Sequence, residues 1–229
     1  MAERRSYGQA CPIAHALDMI GERWALLVVR ELRLGARRYA DLQHALPGIG
    51  PSVLAQRLRD LERVGVLRRR ELPPPAGAKV YELTEWGAEL EPVFAALRTW
   101  GLRSPVVPLA GEISGDTVFL GLRAFFAGEA DPGWSATYRF RMEREVYRLE
   151  VAGGELVDVH RGERAGDGEP DADVVTDQRT LQAVLGGERP LAAAVRDGEL
   201  TVEGDEGAVR RLVSGAGKPG GGGLLARPV

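Results

Sequence analysis

Four side chains with polar or positively charged ends recur at helical spacing in the segment "GPSVLAQRLRDLERVG", which starts at Gly50. They are Ser52, Gln56, Arg59 and Arg63. On a helix they fall within roughly 60° of one another, whereas Leu54, Leu58 and Leu61 fall on the opposite side. Arginine suits guanine and glutamine suits adenine in the major groove. The pattern therefore predicts a helix that reads DNA, with Ser52, Gln56 and Arg59 as its base contacts.

A strongly basic pair of strand-like runs follows this helix. The runs "VLRRREL" and "KVYELT" are separated by "PPPAGA", and proline and glycine in such a position favour a stiff loop. The segment therefore predicts a β-hairpin. Strand alternation places Arg68 and Arg70 on one face and Arg69 on the other. The cations that we expect to hold mostly DNA phosphates are Arg57, Arg63, Arg68, Arg70 and Lys79.

A helix face with several arginines is also common on surfaces that only contact water, so the face alone does not decide its role. The order of the elements is more informative. The short helix "RRYADLQHALPG", a Gly/Pro turn, the arginine-bearing helix and a basic hairpin form the series of a winged helix-turn-helix. This order favours DNA binding over a solvated surface without a partner.

The charge of the chain is distributed unevenly about position 103. Residues 1–103 contain 16 Lys and Arg against 12 Asp and Glu, while the remaining residues contain 14 against 21. This asymmetry predicts two units with different partners, of which only the first suits DNA. Within an α+β chain, we expect a winged-helix domain at 1–103, a linker at 104–115, an α+β domain at 116–214 and a flexible Gly-rich tail at 215–229.

Several functional classes have little support. The three histidines, His15, His44 and His160, are far apart, and Cys11 is the one cysteine, so neither a metal site nor an internal disulfide is expected. No nucleophile, base and acid form a recognisable set, so we expect no enzyme activity and no cofactor. Without a signal peptide or an apolar run of ~18 residues, the expectation is a cytoplasmic protein that does not contact membranes.

The first part of the chain resembles the HxlR-type winged-helix regulators of bacteria. The pieces that carry the resemblance are "CPI", "GERWALLVVREL", "GIGPSVLAQRLRDLE" and "YELTEWG", within about residues 11–101. The resemblance implies a dimeric transcription factor that binds double-stranded DNA. It also implies that helices at about 12–20 and 86–100 build the homodimer, with "RRRELPPPAGAKVYEL" as the wing.

The second part resembles, less specifically, the sterol carrier protein type-two fold. The residues behind this resemblance are "TYRFRM", "VYRLEVAGGELVDVHRGE", "ADVVTDQRTLQAVLGGE" and "DGELTVEGDEGAVRRL". It implies an α+β unit with a cavity for a small apolar ligand. The candidate lining residues are Phe125, Trp134, Tyr138, Phe140 and Tyr147. The alternative is that these aromatic residues pack the core and that the unit only enlarges the dimer interface.

Cys11 offers a different route to regulation. It precedes Pro12 at a helix start, where the helix dipole stabilises a thiolate. Some HxlR-type regulators sense oxidants or electrophiles through a cysteine at this place, so the resemblance implies a possible redox site. The competing interpretation is a small, partly buried residue without a redox role.

Overall fold

The computed structural model describes residues 6–72, 77–105, 113–127 and 133–216. The chain divides into two compact units, Met1–Thr99 and Trp100–Val229. Most of the linker predicted at 104–115 and nearly all of the tail predicted at 215–229 lie outside the described residues. No helix in the described part of the chain is long and apolar enough to cross a membrane.

The first unit combines helices with a small sheet. In chain order its elements are α1 (Pro12–Ile20), α2 (Ala25–Arg30), β1 (Arg37–Arg38), α3 (Tyr39–Ala45), α4 (Pro51–Arg63), β2 (Leu67–Glu71), β3 (Lys79–Leu83), α5 (Glu85–Ala88) and α6 (Glu91–Leu102). The sheet is antiparallel, with β3 between β1 and β2. The succession of α3, α4 and the β2–β3 hairpin confirms the predicted winged helix.

The apolar side of α4 fixes how this helix lies on its domain. Leu54, Leu58 and Leu61 are buried in one core with side chains of α2, α3 and β2. Pro51 occupies the first turn of the helix, where its missing N–H costs no hydrogen bond. Gly65, at a φ of 78°, turns the chain toward β2. The opposite side of α4 is therefore left in solvent.

The single helix predicted from Thr84 onward is two helices. Thr84 caps α5, because its hydroxyl accepts a hydrogen bond from the Gly87 backbone N–H at 3.0 Å. A turn at 89–90 separates α5 from α6. Pro92 lacks the N–H that would continue α5, and it fits the first turn of a new helix instead. The prediction of one continuous helix is wrong at this turn.

The second unit is an α+β fold around a five-stranded sheet. Its elements are α7 (Gly115–Phe125), β4 (Ala136–Met142), β5 (Glu145–Ala152), β6 (Glu155–Arg161), β7 (Ala172–Thr176), α8 (Gln178–Leu185), α9 (Leu191–Arg196), β8 (Leu200–Gly204) and α10 (Glu206–Gly215). The strand order is β6-β5-β4-β7-β8. β4 and β7 are parallel, and the other neighbours are antiparallel.

This sheet has an apolar face and a charged face. The apolar face includes Tyr138, Phe140, Tyr147 and Leu149, all of which are buried. Phe119 of α7 packs on this face, with its ring centroid 5.3 Å from that of Phe140. On the other face Arg139 of β4 lies directly beside Arg148 of β5. The alternation of apolar and polar residues along each strand produces the two faces.

Candidate DNA-binding surface and the second predicted site

The exposed side of α4 carries four predicted side chains, which we call the α4 face. They are Ser52, Gln56, Arg59 and Arg63, and all four are exposed. Arg59 Nη2 donates a hydrogen bond to Gln56 Oε1 at 2.7 Å. Side chains that share one helix face are within reach of each other at spacings of three and four residues. The α4 face is thus a polar surface with two guanidinium groups.

The carboxylate of Asp60 borders one flank of the α4 face, and sequence reasoning missed its contacts. Its Oδ1 accepts a hydrogen bond from Gln56 Nε2 at 3.0 Å and another from Arg63 Nη2 at 3.0 Å. The side chain of Asp60 is 21% exposed. The spacing could have predicted these two contacts, because Asp60 follows Gln56 by four residues and precedes Arg63 by three.

Arg57 lies apart from the α4 face. Its side chain is only 16% exposed, and its guanidinium is 3.6 Å from Glu22 and 3.5 Å from Asp60. The guanidinium therefore connects α4 to the turn between α1 and α2. A phosphate contact by Arg57 stays a prediction that requires these ion pairs to open.

The wing presents Arg68 and Arg70 on one side of the hairpin, as alternation predicts. Both donate to the carboxylate of Glu82 on β3, Arg68 Nε at 2.8 Å and Arg70 Nε at 3.0 Å. Burial acts to raise the pKa of Glu82, but the hydrogen bonds and charges of Arg70 and Arg68 outweigh this effect and lower it. The two arginines remain 65% and 47% exposed, so their outer N–H groups are accessible.

Lys79 lies on the other side of the same hairpin. The strand register pairs it with Glu71 and pairs Arg69 with Tyr81, so Lys79 shares its side with Arg69. Lys79 is exposed, but it does not share a side with Arg68 and Arg70. The tip of the predicted wing, residues 73–76, lies outside the described residues.

The turn before α4 is tied down by two side chains of α3. Tyr39 Oη donates to the Pro51 carbonyl at 2.8 Å, and Gln43 Nε2 donates to the Ile49 carbonyl at 2.7 Å. Gly48 adopts a φ of 88° within this turn. These contacts fix the direction of α4 relative to α3. The arrangement is that of a helix-turn-helix, whose second helix docks in the major groove.

The second predicted site consists mainly of packed core residues. Tyr138, Phe140 and Tyr147 are buried, and the Tyr147 ring centroid is 4.3 Å from that of Phe119. Tyr138 Oη donates to the Ala208 carbonyl at 3.0 Å. Burial raises the pKa of Tyr138, and the charge of Asp205 adds to the effect. These rings fill space between the sheet and its helices.

Two predicted lining residues differ from this core. Phe125, near the end of α7, is half-buried. Trp134 is 4% exposed, and its indole N–H has no hydrogen-bond partner in the structure described. Its ring centroid is 6.1 Å from that of Phe126. A buried donor without an acceptor is costly, so Trp134 differs from the core tyrosines, whose hydroxyl groups are hydrogen-bonded.

Cys11 is a free, half-buried cysteine immediately before α1. Its carbonyl accepts the first hydrogen bond of the helix from the His15 N–H at 2.9 Å, while its thiol makes no capping bond. The prediction that Cys11 lies at the start of a helix is confirmed. Within the described residues no group of His, Cys, Asp or Glu is arranged to hold a metal ion.

The geometry of α3, α4 and the wing defines a winged helix-turn-helix domain. A family model described as HxlR-like helix-turn-helix matches residues 19–105. A curated relative from Synechocystis, the HTH-type transcriptional regulator sll1512, is 40% identical over 94 residues, which cover 41% of this chain and 70% of the relative. The chain therefore belongs to the HxlR-like helix-turn-helix family.

Further relatives agree with this assignment. The HTH-type transcriptional regulator YodB of Bacillus subtilis is 33% identical over 91 residues, or 39% of this chain and 81% of YodB. The solved reduced form of YodB covers 43% of this chain and 97% of its own, at 30% identity and a TM-score of 0.39. That TM-score is too low to support a structural argument, so the family assignment depends on the sequences.

The second unit matches a different model. Residues 130–219 are similar to the family described as alkyl sulfatase C-terminal. The predicted resemblance to the sterol carrier protein type-two fold is not confirmed by this match, whereas the coarser prediction of an α+β fold is confirmed by the sheet and its helices.

Proposed function

We propose that the protein is a dimeric bacterial transcriptional regulator that binds operator DNA through α4 and the wing. The base contacts are Ser52, Gln56 and Arg59. The phosphate contacts are Arg63, Arg68, Arg70 and Lys79. The α4 face is the observation that carries this proposal, because its polar and cationic side chains project into solvent while the leucines behind them are buried. Base contacts supply the sequence preference, and phosphate contacts supply position and most of the salt dependence.

A homodimer is the assembly proposed for this chain. On α6 the side chains of Val93, Leu97 and Trp100 recur at helical spacing and are 40%, 43% and 77% exposed. Ile13 and Leu17 of α1 are exposed in the same way. Burial of these apolar side chains against a second copy removes them from water. A two-fold dimer then presents two α4 helices to successive major grooves, about 34 Å apart.

The experiment that tests this proposal is selection from a random duplex library with the purified full-length protein. The expected product is an inverted repeat whose half-sites have centres about 10 base pairs apart. Sedimentation of the complex should give two protein chains per duplex. Recovery of unrelated sequences with no shared motif would contradict the proposal.

We also propose that a small apolar effector controls DNA binding through the second unit. Among the described residues the buried indole N–H of Trp134 has no acceptor, which supports a ligand that combines an apolar body with an acceptor such as a carboxylate. A thermal-shift screen with medium-chain fatty acids tests this idea, and Trp134→Phe is the control that keeps an aromatic, smaller side chain but removes the N–H. A shift in the wild type that is lost in Trp134→Phe supports the site. If no acid shifts the melting temperature, the unit is only structural.

The alternative proposal is regulation by oxidants or electrophiles through Cys11. Its support is the placement of a half-buried thiol at the start of α1, the helix that carries the exposed Ile13 and Leu17. Oxidation or alkylation of the Cys11 thiol would change the start of α1, which we propose forms part of the dimer interface. Diamide should then weaken DNA binding of the wild type but not of Cys11→Ser, whereas equal responses of the two proteins would remove this alternative.

A further inference from the structure

The hydrogen bonds along α4 form a chain in the order Arg59, Gln56, Asp60 and Arg63. Arg59 donates to Gln56, and both Gln56 and Arg63 donate to the same oxygen of Asp60. Three of the four groups belong to the α4 face. The fourth, Asp60, is an acid on the side of the protein where phosphates are expected. The negative charge of Asp60 opposes DNA binding, so we looked for a favourable contribution of this side chain to the α4 face.

We propose that Asp60 is a positioning residue that sets which DNA sequence the α4 face reads. This inference rests on the proposed function and adds a specificity-determining residue to it. Asp60 holds the amide nitrogen of Gln56 and one N–H of Arg63, and through Gln56 it also holds Arg59. It does not itself contact a base.

The chemistry of the Gln56 amide supports this role. An amide group has two N–H donors and an oxygen with two lone pairs. Asp60 takes one N–H and Arg59 takes one lone pair, which leaves one donor and one acceptor for a base. Adenine is recognised by such a donor–acceptor pair in the major groove. Because both neighbours fix the amide, less side-chain freedom remains to be lost when DNA binds.

Two simpler roles for Asp60 predict different results. If Asp60 only repels phosphates, its neutralisation raises the affinity for every duplex by the same factor, and the preference for the selected sequence stays unchanged. If Asp60 only stabilises α4 through Arg57, which is 3.5 Å away, its loss lowers the melting temperature without a selective effect on DNA. A positioning residue changes the preference itself.

The test compares the wild type with Asp60→Asn and Glu62→Gln. Glu62 is exposed on the other flank of the α4 face, so Glu62→Gln removes the same charge from the same helix without touching the chain of hydrogen bonds. The measurement is the ratio of dissociation constants for the selected duplex and for a shuffled duplex of equal composition. Asn keeps one neutral oxygen that accepts weaker hydrogen bonds than the carboxylate, above all from Arg63. We therefore expect Asp60→Asn to reduce this preference about threefold, and Glu62→Gln to leave it unchanged within about 1.5-fold of the wild type.

A second variant separates geometry from charge. Asp60→Glu keeps the negative charge but moves the carboxylate by one methylene, so a positioning role predicts a loss of preference of about threefold, while a charge role predicts none. This variant also covers the case in which Asp60→Asn fails to fold. An unchanged preference in the folded Asp60 variants would overturn the inference.

The final control measures the effect of Asp60→Asn in a protein that already carries Gln56→Ala. If Asp60 acts through Gln56, Asp60→Asn has a smaller effect on the preference in Gln56→Ala than in the wild type. A wild type that selects no sequence would reject the proposed function itself. A wild type that selects a sequence, with Asp60→Asn selecting the same one equally well, would reject only the role of Asp60.

Discussion

Both units carry arginines beside carboxylates, but the two sets differ in their exposure. In the first unit Arg63 and Arg68 are 61% and 65% exposed. In the second unit the side chains of Arg139 and Arg148, which share the charged face of the sheet, are 17% and 9% exposed. Arg63 and Arg68 are therefore accessible to a partner, whereas Arg139 and Arg148 are enclosed by their own domain.

The second unit uses its arginines to hold a segment of its own chain. Arg148 Nε donates to Glu163 at 2.7 Å, and its Nη2 donates to the Gly168 carbonyl at 2.8 Å. Arg139 Nη2 lies 3.7 Å from Glu169 of the same segment, and its Nε donates to Asp173 of the neighbouring strand β7 at 2.7 Å. Residues 162–171 connect β6 to β7 and must pass the two strands between them, β5 and β4. The guanidinium groups of Arg148 and Arg139 are thus bonded to carboxylates of their own unit. In the first unit we propose that exposed arginines bind DNA phosphates instead.

The largest expected effect is on the stability of the second unit. Arg148→Ala removes charge-assisted hydrogen bonds of a nearly buried guanidinium, which typically costs about 1.5–3 kcal/mol. Thermal unfolding should show this loss, while the affinity for the selected duplex stays unchanged. The control is Arg210→Ala, which removes an exposed arginine paired with Glu206 and should cost less than about 0.5 kcal/mol. A loss of DNA affinity in the folded Arg148→Ala variant would contradict the purely structural role of Arg148.

Arg59→Ala should produce the opposite result. This exposed side chain supports no core contact, so the melting temperature should remain near that of the wild type. Loss of a base contact should cost about 1–3 kcal/mol of binding to the selected duplex and relax the preference at one base position. Isothermal titration with the selected and shuffled duplexes measures both quantities, and an equal loss on both duplexes would reassign Arg59 to a phosphate.

Arg68→Gln should affect all duplexes alike. A phosphate contact carries no sequence information, so affinity should fall while the preference stays constant. The salt dependence should become shallower by about 1–2 units of log K per unit of log salt, since each protomer of the dimer loses one contact. Fluorescence anisotropy over a salt series measures this slope. An unchanged slope would show that Arg68 makes its ion pair with Glu82 but contacts no phosphate.

The smallest expected effect concerns the pH dependence of the wing. The pKa of Glu82 is below its usual value in the folded protein, so its ion pairs add stability at neutral pH, and this contribution is lost as the pH falls through that lowered pKa. Both arginine partners are about half-exposed or more, so the contribution should be below about 1 kcal/mol. Glu82→Gln should melt slightly below the wild type at pH 7, and the two should converge in acid. A constant difference from pH 7 to pH 3 would contradict this explanation.

Sequence periodicity was sufficient to predict α3, α4 and the two sides of α4, but it did not predict β1. The three buried leucines are spaced for one side of a helix, so the exposure of Gln56 and Arg59 follows directly. Proline and glycine punctuation predicted the hairpin. The break between α5 and α6 was missed because the apolar stripe continues across it, although Pro92 marks the restart.

The pairing of charges was harder to predict. The side occupied by Lys79 depends on the hairpin register, which pairs Lys79 with Glu71 and which alternation along one strand does not determine. The hydrogen bonds of Asp60 depend on rotamers as well as on spacing. In the second unit, α9 (Leu191–Arg196) was not predicted, because six residues rich in alanine carry too little periodic signal.

The salt dependence of the wild-type affinity tests the central claim most directly. If each protomer of a dimer neutralises about three to four phosphates with the accessible cations of α4 and the wing, the slope of log K against log salt should be about −5 to −7. Fluorescence anisotropy of the full-length protein with the selected duplex measures this slope. A slope near zero, or no binding to duplex DNA at low salt, would contradict the assignment of α4 and the wing as the DNA-binding surface.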